Sequence, residues 1–392
     1  MSIELRQITE STFAPYAGQL MDTFGGDASS AEQIQLHRRE TELPRAIGAY
    51  DGDLLVGTAG SLGWSVTVPG GETVPLAAVS DVSVRSTHRR RGILRQMMAH
   101  QLQCFHERGE ALAALWASEA AIYGRFGYGP GVPSARLRIE RSESAFRRPL
   151  DAGRIREIDS EAALEVLPPI AAAAARKHPG FVLRSRERWA AELADPAAGR
   201  RGGSRLFLAV HDGPDGPDGY AAYRTHHAWS EAGRRTSKLE VLDLIAITAP
   251  AYAALWRFCL DVDLIVTVEG RHRSVDEPLR HLLIDPRALQ VSVTDGLWLR
   301  LVDVAAALRL RRYPVAGGLA LEVHDRFCGW NQGRLLLEAG PDGASVGPTT
   351  READLALDAA ALGAIYLGGQ RPSTLAAAGL IDELRPGTLA RA

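Results

Sequence analysis

The sequence has little cysteine: three residues in 392, at positions 104, 259 and 328. They are far apart and form no CxxC or Cys/His ligand spacing. An odd and sparse cysteine count argues against a disulfide framework and favours a reducing compartment. We therefore expect Cys104, Cys259 and Cys328 to be ordinary packing residues.

Long apolar runs and a strong net charge are also missing. No stretch approaches the roughly 18 apolar residues of a membrane span, and no basic start precedes an apolar signal core. We expect a cytoplasmic protein without a membrane partner. The formal net charge of −2 gives no general attraction to nucleic acid. His226-His227 lacks a third ligand at usable spacing, so no metal is expected.

Short apolar runs separated by turns predict antiparallel hairpins over residues 46–84. Leu54–Val56 and Trp64–Val68 are two of these runs. A helical stripe then runs from Leu94 to Phe105, and Ala111–Trp116 is predicted to be a buried strand. Between the long strand and the helix lies a basic loop that ends in Arg91-Gly92.

The same order of elements returns in the middle of the chain. A predicted hairpin over residues 206–223 precedes a strand at 239–247, a helix at 251–260 and a strand at Leu264–Val268. This recurrence suggests a structural duplication. Between strand and helix the second copy has Thr248-Ala249-Pro250, without arginine or glycine, and we predict that it is non-catalytic.

The last hundred residues read as a separate α+β domain, with short strands near 319–323 and 334–338 and two helices near 359–367 and 373–378. Pro/Gly-rich joints lie near Arg147–Gly153 and Asp285-Pro286. The fold class is therefore α/β (α+β), and the predicted domains span 1–148, 149–286 and 287–392.

The segment from Val82 to Arg95 carries the most chemical information. A strand leads into a basic turn, and a helix starts at that turn. Unpaired N–H groups at a helix start favour an anion. Gly92 allows close backbone approach, and the three arginines at 89–91 add charge-assisted donors. A pyrophosphate fits these groups.

Arg89-x-x-Gly92-x-Leu94 resembles the coenzyme A pyrophosphate loop of the GNAT acetyltransferases, R/Q-x-x-G-x-G/A. Leu94 replaces the usual small residue, a departure typical of the Eis (enhanced intracellular survival) branch. Four blocks, in family order and spanning nearly the whole chain, resemble that branch: Thr87–Gly92, Ala117–Pro130, Asp295–Val304 and Leu362–Gly368.

The resemblance implies tandem GNAT folds, the second degenerate, and a C-terminal domain like sterol carrier proteins. It also implies an acetyl-CoA-dependent N-acetyltransferase, and a homo-oligomer that is typically a hexamer. It assigns Val82, Ser83 and Val84 to the acetyl-pantetheine arm, which pairs as an added strand. The residues that it assigns to the pyrophosphate are Arg89, Arg90, Gly92, Ile93 and Leu94.

The resemblance also assigns a general acid. Acetyl transfer to an amine needs a deprotonated amine, donors for the oxyanion and a proton for the departing thiolate. Tyr123 matches the family's acid, and a phenol with a pKa of about 10 is protonated at neutral pH. Ser118 sits where a helix N-cap is expected and corresponds to a serine near the thioester. Tyr128, in a Gly-Tyr-Gly turn, is expected to be structural.

Two candidates exist for the base. The family points to the C-terminal carboxylate, here Ala392, which needs desolvation or a water relay to act as a base. The last residues lack the aromatic end of the best-known members, so a frayed terminus is the alternative. Asp81 lies on the strand where other GNAT enzymes place a carboxylate base. A structural ion pair of Asp81 with one of the loop arginines is its alternative.

The acceptor is predicted to be a primary amine. Aminoglycosides, other polyamines and lysine side chains are the candidates, because family members acetylate such amines. Asp22, Asp27 and Glu32 lie in the helical region expected to wall the acceptor pocket. An acyl-CoA sensor or lipid carrier without turnover is the alternative function, and an acyl group larger than acetyl stays open.

Overall fold

Residues 3–26, 30–149 and 153–392 are described by the computed structural model. They form two units, each treated separately below. Unit 1 contains the described residues up to Val132, His178–Val182 and Leu297–Ala392. Unit 2 contains the described residues of Pro133–Lys177 and Leu183–Gly296. The domain limits at 148/149 and 286/287 stay predictions.

The N-terminal part of unit 1 follows the predicted order of hairpins, loop, helix and strand. Its elements are β1 (Ile3–Gln7), α1 (Glu10–Thr23), α2 (Ala31–Glu40), β2 (Ile47–Asp51), β3 (Leu54–Thr67), β4 (Thr73–Val84), α3 (Ile93–Glu107), β5 (Leu112–Trp116), α4 (Ala120–Tyr123) and β6 (Gly129–Glu140). β1 to β4 pair antiparallel in chain order, and β5 pairs parallel to β4. β6 continues into unit 2.

Helix α3 covers one face of this sheet because its apolar residues recur at helical spacing. Ile93 and Met97 are buried against β2 and β3, in one cluster with Val56 and Ala59. Farther along α3, Met98 and Phe105 pack in a second cluster that also contains Tyr123. The helix is therefore fixed along its length, and its first turn is held beside the end of β4.

Unit 2 repeats the strand–helix–strand order. Its elements are β7 (Arg154–Ile158), α5 (Ser160–Ala175), β8 (Val182–Leu183, of which Leu183 belongs to unit 2), α6 (Arg186–Leu193), β9 (Phe207–Gly213), β10 (Gly216–His226), β11 (Lys238–Ala246), α7 (Ala249–Asp261), β12 (Thr267–Arg273), α8 (Leu279–Leu282) and β13 (Gln290–Leu301, of which the residues up to Gly296 belong to unit 2). The strand order is β6-β12-β11-β10-β9-β7. Trp256 and Leu260 of α7 are buried in its core.

The C-terminal segment belongs to unit 1. Its elements are α9 (Val304–Leu310), β14 (Gly317–His324), β15 (Gly333–Gly340), β16 (Gly343–Pro348), β17 (Leu355–Asp358), α10 (Ala359–Tyr366), α11 (Pro372–Ala377) and β18 (Ile381–Glu383). Its sheet has the order β16-β15-β14-β17-β18. Leu321 and Leu362 share an apolar cluster with Leu76, Leu112 and Ala114 of the N-terminal sheet.

Two predicted strands differ from the structure. The run Leu54–Val56 and residues 64–67 of the run Trp64–Val68 belong to one strand, β3, because the small residues between them pair with β2 and β4. The strand predicted at Leu264–Val268 begins later, at Thr267, because the chain turns at Leu264 with φ of 67°. β12 then continues through charged residues paired with β11 and β6.

Candidate active site

Strand β4 carries a bulge at Asp81. Ser80 pairs with Gly60 and Ser83 with Thr58, so Asp81 and Val82 together face Ala59. Asp81 has φ of 56°, a left-handed conformation that aspartate tolerates better than most residues. Thr58 supports the bulge, since its hydroxyl donates to the Asp81 carbonyl at 2.7 Å. The bulge interrupts the hydrogen-bond ladder between β3 and β4 and changes the direction of the Asp81 side chain.

Beyond the middle of β4 the strand is released from β5. Their pairing joins Ala77 to Ala113 and Ala78 to Ala114, whereas β4 continues to Val84. The Arg85 N–H donates to the Val56 carbonyl at 2.8 Å, so it points towards β3. Successive N–H groups of a strand point to opposite edges, which directs the Val84 N–H towards the side of β5. Val82, two residues earlier, faces the same side.

The basic loop ends at the start of α3. Arg90 and Gly92 have left-handed backbones, with φ of 64° and 80°. A Cβ atom built on Gly92 meets nothing within 4 Å, so the space above this position is open. Ile93 begins the helix and is buried, whereas Leu94 is half-buried. The first N–H groups of α3 therefore lie beside an open, glycine-lined turn.

Arginines 89 and 90 are exposed, and neither has an ion-pair partner among the residues that the structure describes. Arg91 differs, because its guanidinium lies 3.7 Å from the Asp51 carboxylate. His88 lies 3.4 Å from the same carboxylate oxygen. Asp51, at the end of β2, thus holds the loop in place and leaves two arginines available for an anion. Sequence analysis gave Asp51 no functional role.

Tyr123 closes the short helix α4 and is 6% exposed. Its ring packs edge-to-face on that of Tyr128, with centroids 6.2 Å apart. Burial raises the pKa of Tyr123 and the Glu119 carboxylate adds to the rise, whereas a hydrogen bond with Ser118 opposes it. A phenol with a raised pKa stays protonated at neutral pH and can donate a proton.

Ser118 and Tyr128 have different surroundings. The N-cap of α4 is Glu119, so the expected N-cap position of Ser118 was wrong by one residue; the serine is exposed and contacts Tyr123 instead. Tyr128 is completely buried, and its hydroxyl has no hydrogen-bond partner among the described side chains and backbone. Burial raises its pKa far above the ordinary range. A packing role suits Tyr128.

The Asp81 carboxylate is the centre of a hydrogen-bond network that joins three elements. Its Oδ2 atom accepts from the Tyr16 hydroxyl of α1 and lies 3.0 Å from His37 Nε2 of α2. The Ser80 hydroxyl donates to Oδ1 at 2.9 Å. The ion-pair partner of Asp81 is thus His37 and not a loop arginine. Sequence analysis missed Tyr16 and His37, since neither lies in a motif.

The network shifts the pKa values of Asp81, His37 and Tyr16. Burial favours a higher pKa for Asp81, but hydrogen bonds and the charge of His37 outweigh it, and the pKa is lowered. The hydrogen bond to Asp81 raises the pKa of His37 against the effect of burial. Burial, together with the Asp81 charge, raises the pKa of Tyr16 well above its ordinary value. The pair is therefore an ionised carboxylate beside a histidine that titrates at higher pH than usual.

Asp81 and Tyr123 lie around the same short stretch of β4. Val79 is buried in the same apolar cluster as Tyr123, and Val82 packs against that cluster. Ser83 is buried, and its hydroxyl lies 2.7 Å from that of Thr58. The predicted acid therefore packs beside the stretch of β4 that carries the predicted carboxylate and the released segment.

The other residues predicted for the base or for the acceptor pocket do not belong to the Asp81 network. Ala392 is exposed and donates its backbone N–H to the Thr388 carbonyl at 3.0 Å, so its catalytic role stays a prediction. Asp22 lines a surface pocket together with Asp53. Glu32 is exposed in the first turn of α2. Asp27 lies outside the described residues.

In unit 2, a carboxylate side chain lies at the corresponding loop between strand and helix. The Thr248 hydroxyl, at the start of α7, donates to the Asp218 carboxylate at 2.6 Å. His211 lies 2.6 Å from the other oxygen of that carboxylate. A carboxylate at this helix start repels a phosphate and already occupies the capping hydroxyl. The non-catalytic role of the second copy stays a prediction.

Comparisons with known proteins extend over the whole chain. Residues 4–131 and 180–307 each match a model described as an acetyltransferase (GNAT) domain, and residues 304–392 match a sterol carrier protein domain. An uncharacterized N-acetyltransferase of Streptomyces avermitilis is 40% identical over 395 residues, covering 100% of this chain and 96% of the relative. The N-acetyltransferase Eis of Mycobacterium tuberculosis is 36% identical over 343 residues, covering 84% of this chain and 80% of Eis.

The crystal structure of Eis1 from Mycobacterium abscessus superposes with a TM-score of 0.86 at 37% identity, covering 100% of this chain and 95% of Eis1. The chain belongs to the Eis-like branch of the GNAT N-acetyltransferases. The predicted family and the predicted fold of two GNAT domains and a sterol-carrier-like domain are thus confirmed.

Membership in this family makes the protein an acyltransferase, and GNAT acetyltransferases use acetyl-CoA as their co-substrate. Within the described residues, no helix is both long and apolar enough to cross a membrane. The same part of the chain contains no group of three or more His, Cys, Asp or Glu side chains arranged to hold a metal ion.

Proposed function

We propose that the first GNAT domain transfers an acetyl group from acetyl-CoA to a primary amine. The observation that supports this most strongly is the geometry around β4. The strand is released from β5 beyond Ala78, a loop with two available arginines follows it, and the buried Tyr123 packs beside it. Each of these features suits a different part of a thioester co-substrate.

The loop and the helix start suit the pyrophosphate. The backbone N–H groups of Ile93 and Leu94 lie in the first turn of α3, where they carry the positive end of the helix dipole. Arg89 and Arg90 add charge-assisted donors. The open space around Gly92 lets a phosphate approach the backbone.

The released segment suits the acetyl-pantetheine arm. Val82 and Val84 direct backbone groups towards the side that β5 has left, and an extended arm can pair there as an added strand. Ser83, between them, is buried against Thr58 and keeps the segment in place. The thioester at the end of the arm then lies close to Tyr123, which protonates the leaving thiolate as the C–S bond breaks. Ser118 opposes the rise in the pKa of Tyr123.

The acceptor amine is expected beside two tryptophans. Trp64 and Trp116 contact each other edge-to-face with centroids 5.9 Å apart, and Trp116 is 51% exposed at the end of β5. An exposed aromatic face attracts a cationic amine. Aminoglycosides, linear polyamines and lysine side chains share this chemistry and are the proposed acceptor classes. A homohexamer, measurable by light scattering, and a cytoplasmic location, measurable by fractionation, remain our proposals for assembly and compartment.

Release of free CoA thiol, measured with acetyl-CoA and one amine of each class, tests this proposal. We expect at least one amine to drive release, and Tyr123→Phe to lower kcat by about a hundredfold or more while acetyl-CoA binding is kept. Tyr128→Phe is the matched control, because the hydroxyl it removes has no partner among the described groups. Equal turnover in Tyr123→Phe and Tyr128→Phe would refute general-acid catalysis by Tyr123.

A further inference from the structure

The His37–Asp81 pair is more elaborate than an isolated surface ion pair. Both oxygens of the carboxylate are occupied: Oδ2 by Tyr16 and His37, and Oδ1 by Ser80. The pair is packed tightly on β3, since a Cβ atom on Gly60 would lie 2.8 Å from the Tyr16 hydroxyl and 3.4 Å from Asp81 Oδ2. The network thus uses space that only a glycine at position 60 leaves open.

The two ring nitrogens of His37 have different surroundings. Nε2 faces Asp81 at 3.0 Å, and Nδ1 has no hydrogen-bond partner among the residues that the structure describes. The Phe13 ring packs edge-on against the imidazole, with centroids 5.4 Å apart. The His37 side chain remains 26% exposed, so a ligand can reach the ring. A carboxylate on one nitrogen fixes the tautomer and leaves the other as a proton acceptor.

We propose that His37 is the general base of the acetyl transfer and that Asp81 is the residue that positions it. This rests on the proposed amine acetylation and deepens it. The amine nitrogen forms a bond to the thioester carbonyl carbon and gives one proton to His37 Nδ1. The C–S bond breaks, the sulfur keeps the electron pair, and Tyr123 supplies its proton. Solvent returns a proton from His37 to Tyr123, so the enzyme is regenerated without another reactant.

Asp81 itself is poorly suited to this step. Its pKa is lowered, in spite of burial, by its hydrogen bonds and by the charge of His37, so it holds a proton weakly. The titratable groups that face His37 are Asp81 on β4, Tyr16 on α1 and Glu40 on its own helix. The hydrogen bond to Asp81 is the largest cause of the raised pKa of His37, which brings it closer to that of an amine. Sequence analysis considered Asp81 for the base, and our proposal gives that role to its partner His37.

The dependence of kcat/KM on pH, measured by CoA release with the preferred amine, tests the assignment. Wild type should lose activity as pH falls through the raised pKa of His37, because the protonated ring accepts no further proton. His37→Gln should lower kcat by about a hundredfold or more and remove this acidic limb. The glutamine amide can still donate to Asp81, so the variant keeps the anchor and loses the base. Asp81→Asn should move the limb to lower pH, since it removes the charge that raises the pKa.

His226→Gln is the matched control. His226 lies 3.1 Å from Glu240 in unit 2, with 19% of its side chain exposed, and the variant should keep the wild-type profile. If His37→Gln retains both turnover and the acidic limb, the pair only anchors α2 and the proposal is overturned. That outcome differs from failure of the proposed function, in which wild type itself releases no CoA with any amine, and which would overturn both.

Discussion

The left-handed turn at Gly92 offers a quantitative test of the co-substrate site. In Gly92→Ala the new Cβ meets no atom within 4 Å, so steric clash is absent and only the backbone conformation, with φ of 80°, is penalised. A left-handed conformation costs an L-residue about 1–2 kcal/mol. If the loop needs this turn to present its N–H groups to a pyrophosphate, the Kd for CoA should rise by about 5- to 30-fold.

Gly109, just beyond the other end of α3, supplies the control. It has φ of 72°, and a Cβ atom there also meets nothing within 4 Å. Gly109→Ala should therefore lower the free energy of unfolding by a similar amount and leave CoA binding unchanged. Calorimetric titration with CoA measures Kd, and urea denaturation measures stability. An unchanged Kd in Gly92→Ala, or an equal loss of binding in Gly109→Ala, would refute the argument.

Three further changes have expected outcomes. Trp116→Ala should raise KM for the amine several-fold with KM for acetyl-CoA unchanged, because it removes an exposed aromatic face; equal kinetics would exclude this contact. Asp325→Ala should destabilise the protein to urea by about 3–5 kcal/mol, since it strands the buried Arg300 guanidinium; a loss under 1 kcal/mol would contradict this. The last change concerns the His37–Asp81 pair. Burial favours a higher pKa for Asp81, but its hydrogen bonds and the charge of His37 lower it. The hydrogen bond to Asp81 raises the pKa of His37. The ion pair therefore stabilises the fold at pH values between these two pKa values. The stabilisation is lost as the pH falls through the pKa of Asp81 or rises through that of His37. Asp81→Asn should flatten the dependence of Tm on pH.

Much of the candidate co-substrate site could be proposed from the sequence because it is local. The strand, the basic turn and the helix of the loop lie within 14 consecutive residues, 82–95, and their chemistry follows from residue type and order. The prediction that the second copy is non-catalytic rests on Thr248-Ala249-Pro250 alone. The structure adds a physical argument for that prediction, which is the Asp218 carboxylate bonded to Thr248.

The acceptor side could not be predicted in the same way. Tyr16 and His37 are 65 and 44 residues from Asp81 along the chain, and no local pattern connects them. His37 stands in a run of charged residues at the end of a helix, where it resembles an ordinary dipole-compensating residue. Only the bulge in β4, which turns Asp81 towards α1 and α2, reveals the pair.

The most direct test of the proposed amine acetylation is the ratio of its two products, the N-acetylated amine and free CoA. Purified protein is incubated with acetyl-CoA and an amine, and mass spectrometry quantifies the N-acetylated amine while a thiol reagent quantifies CoA. We expect equal amounts of both products, formed only when the amine is present and strongly reduced in Tyr123→Phe. Absence of acetyl-CoA binding, or CoA release without an acetylated amine, would contradict the proposal that this protein acetylates amines in its first domain.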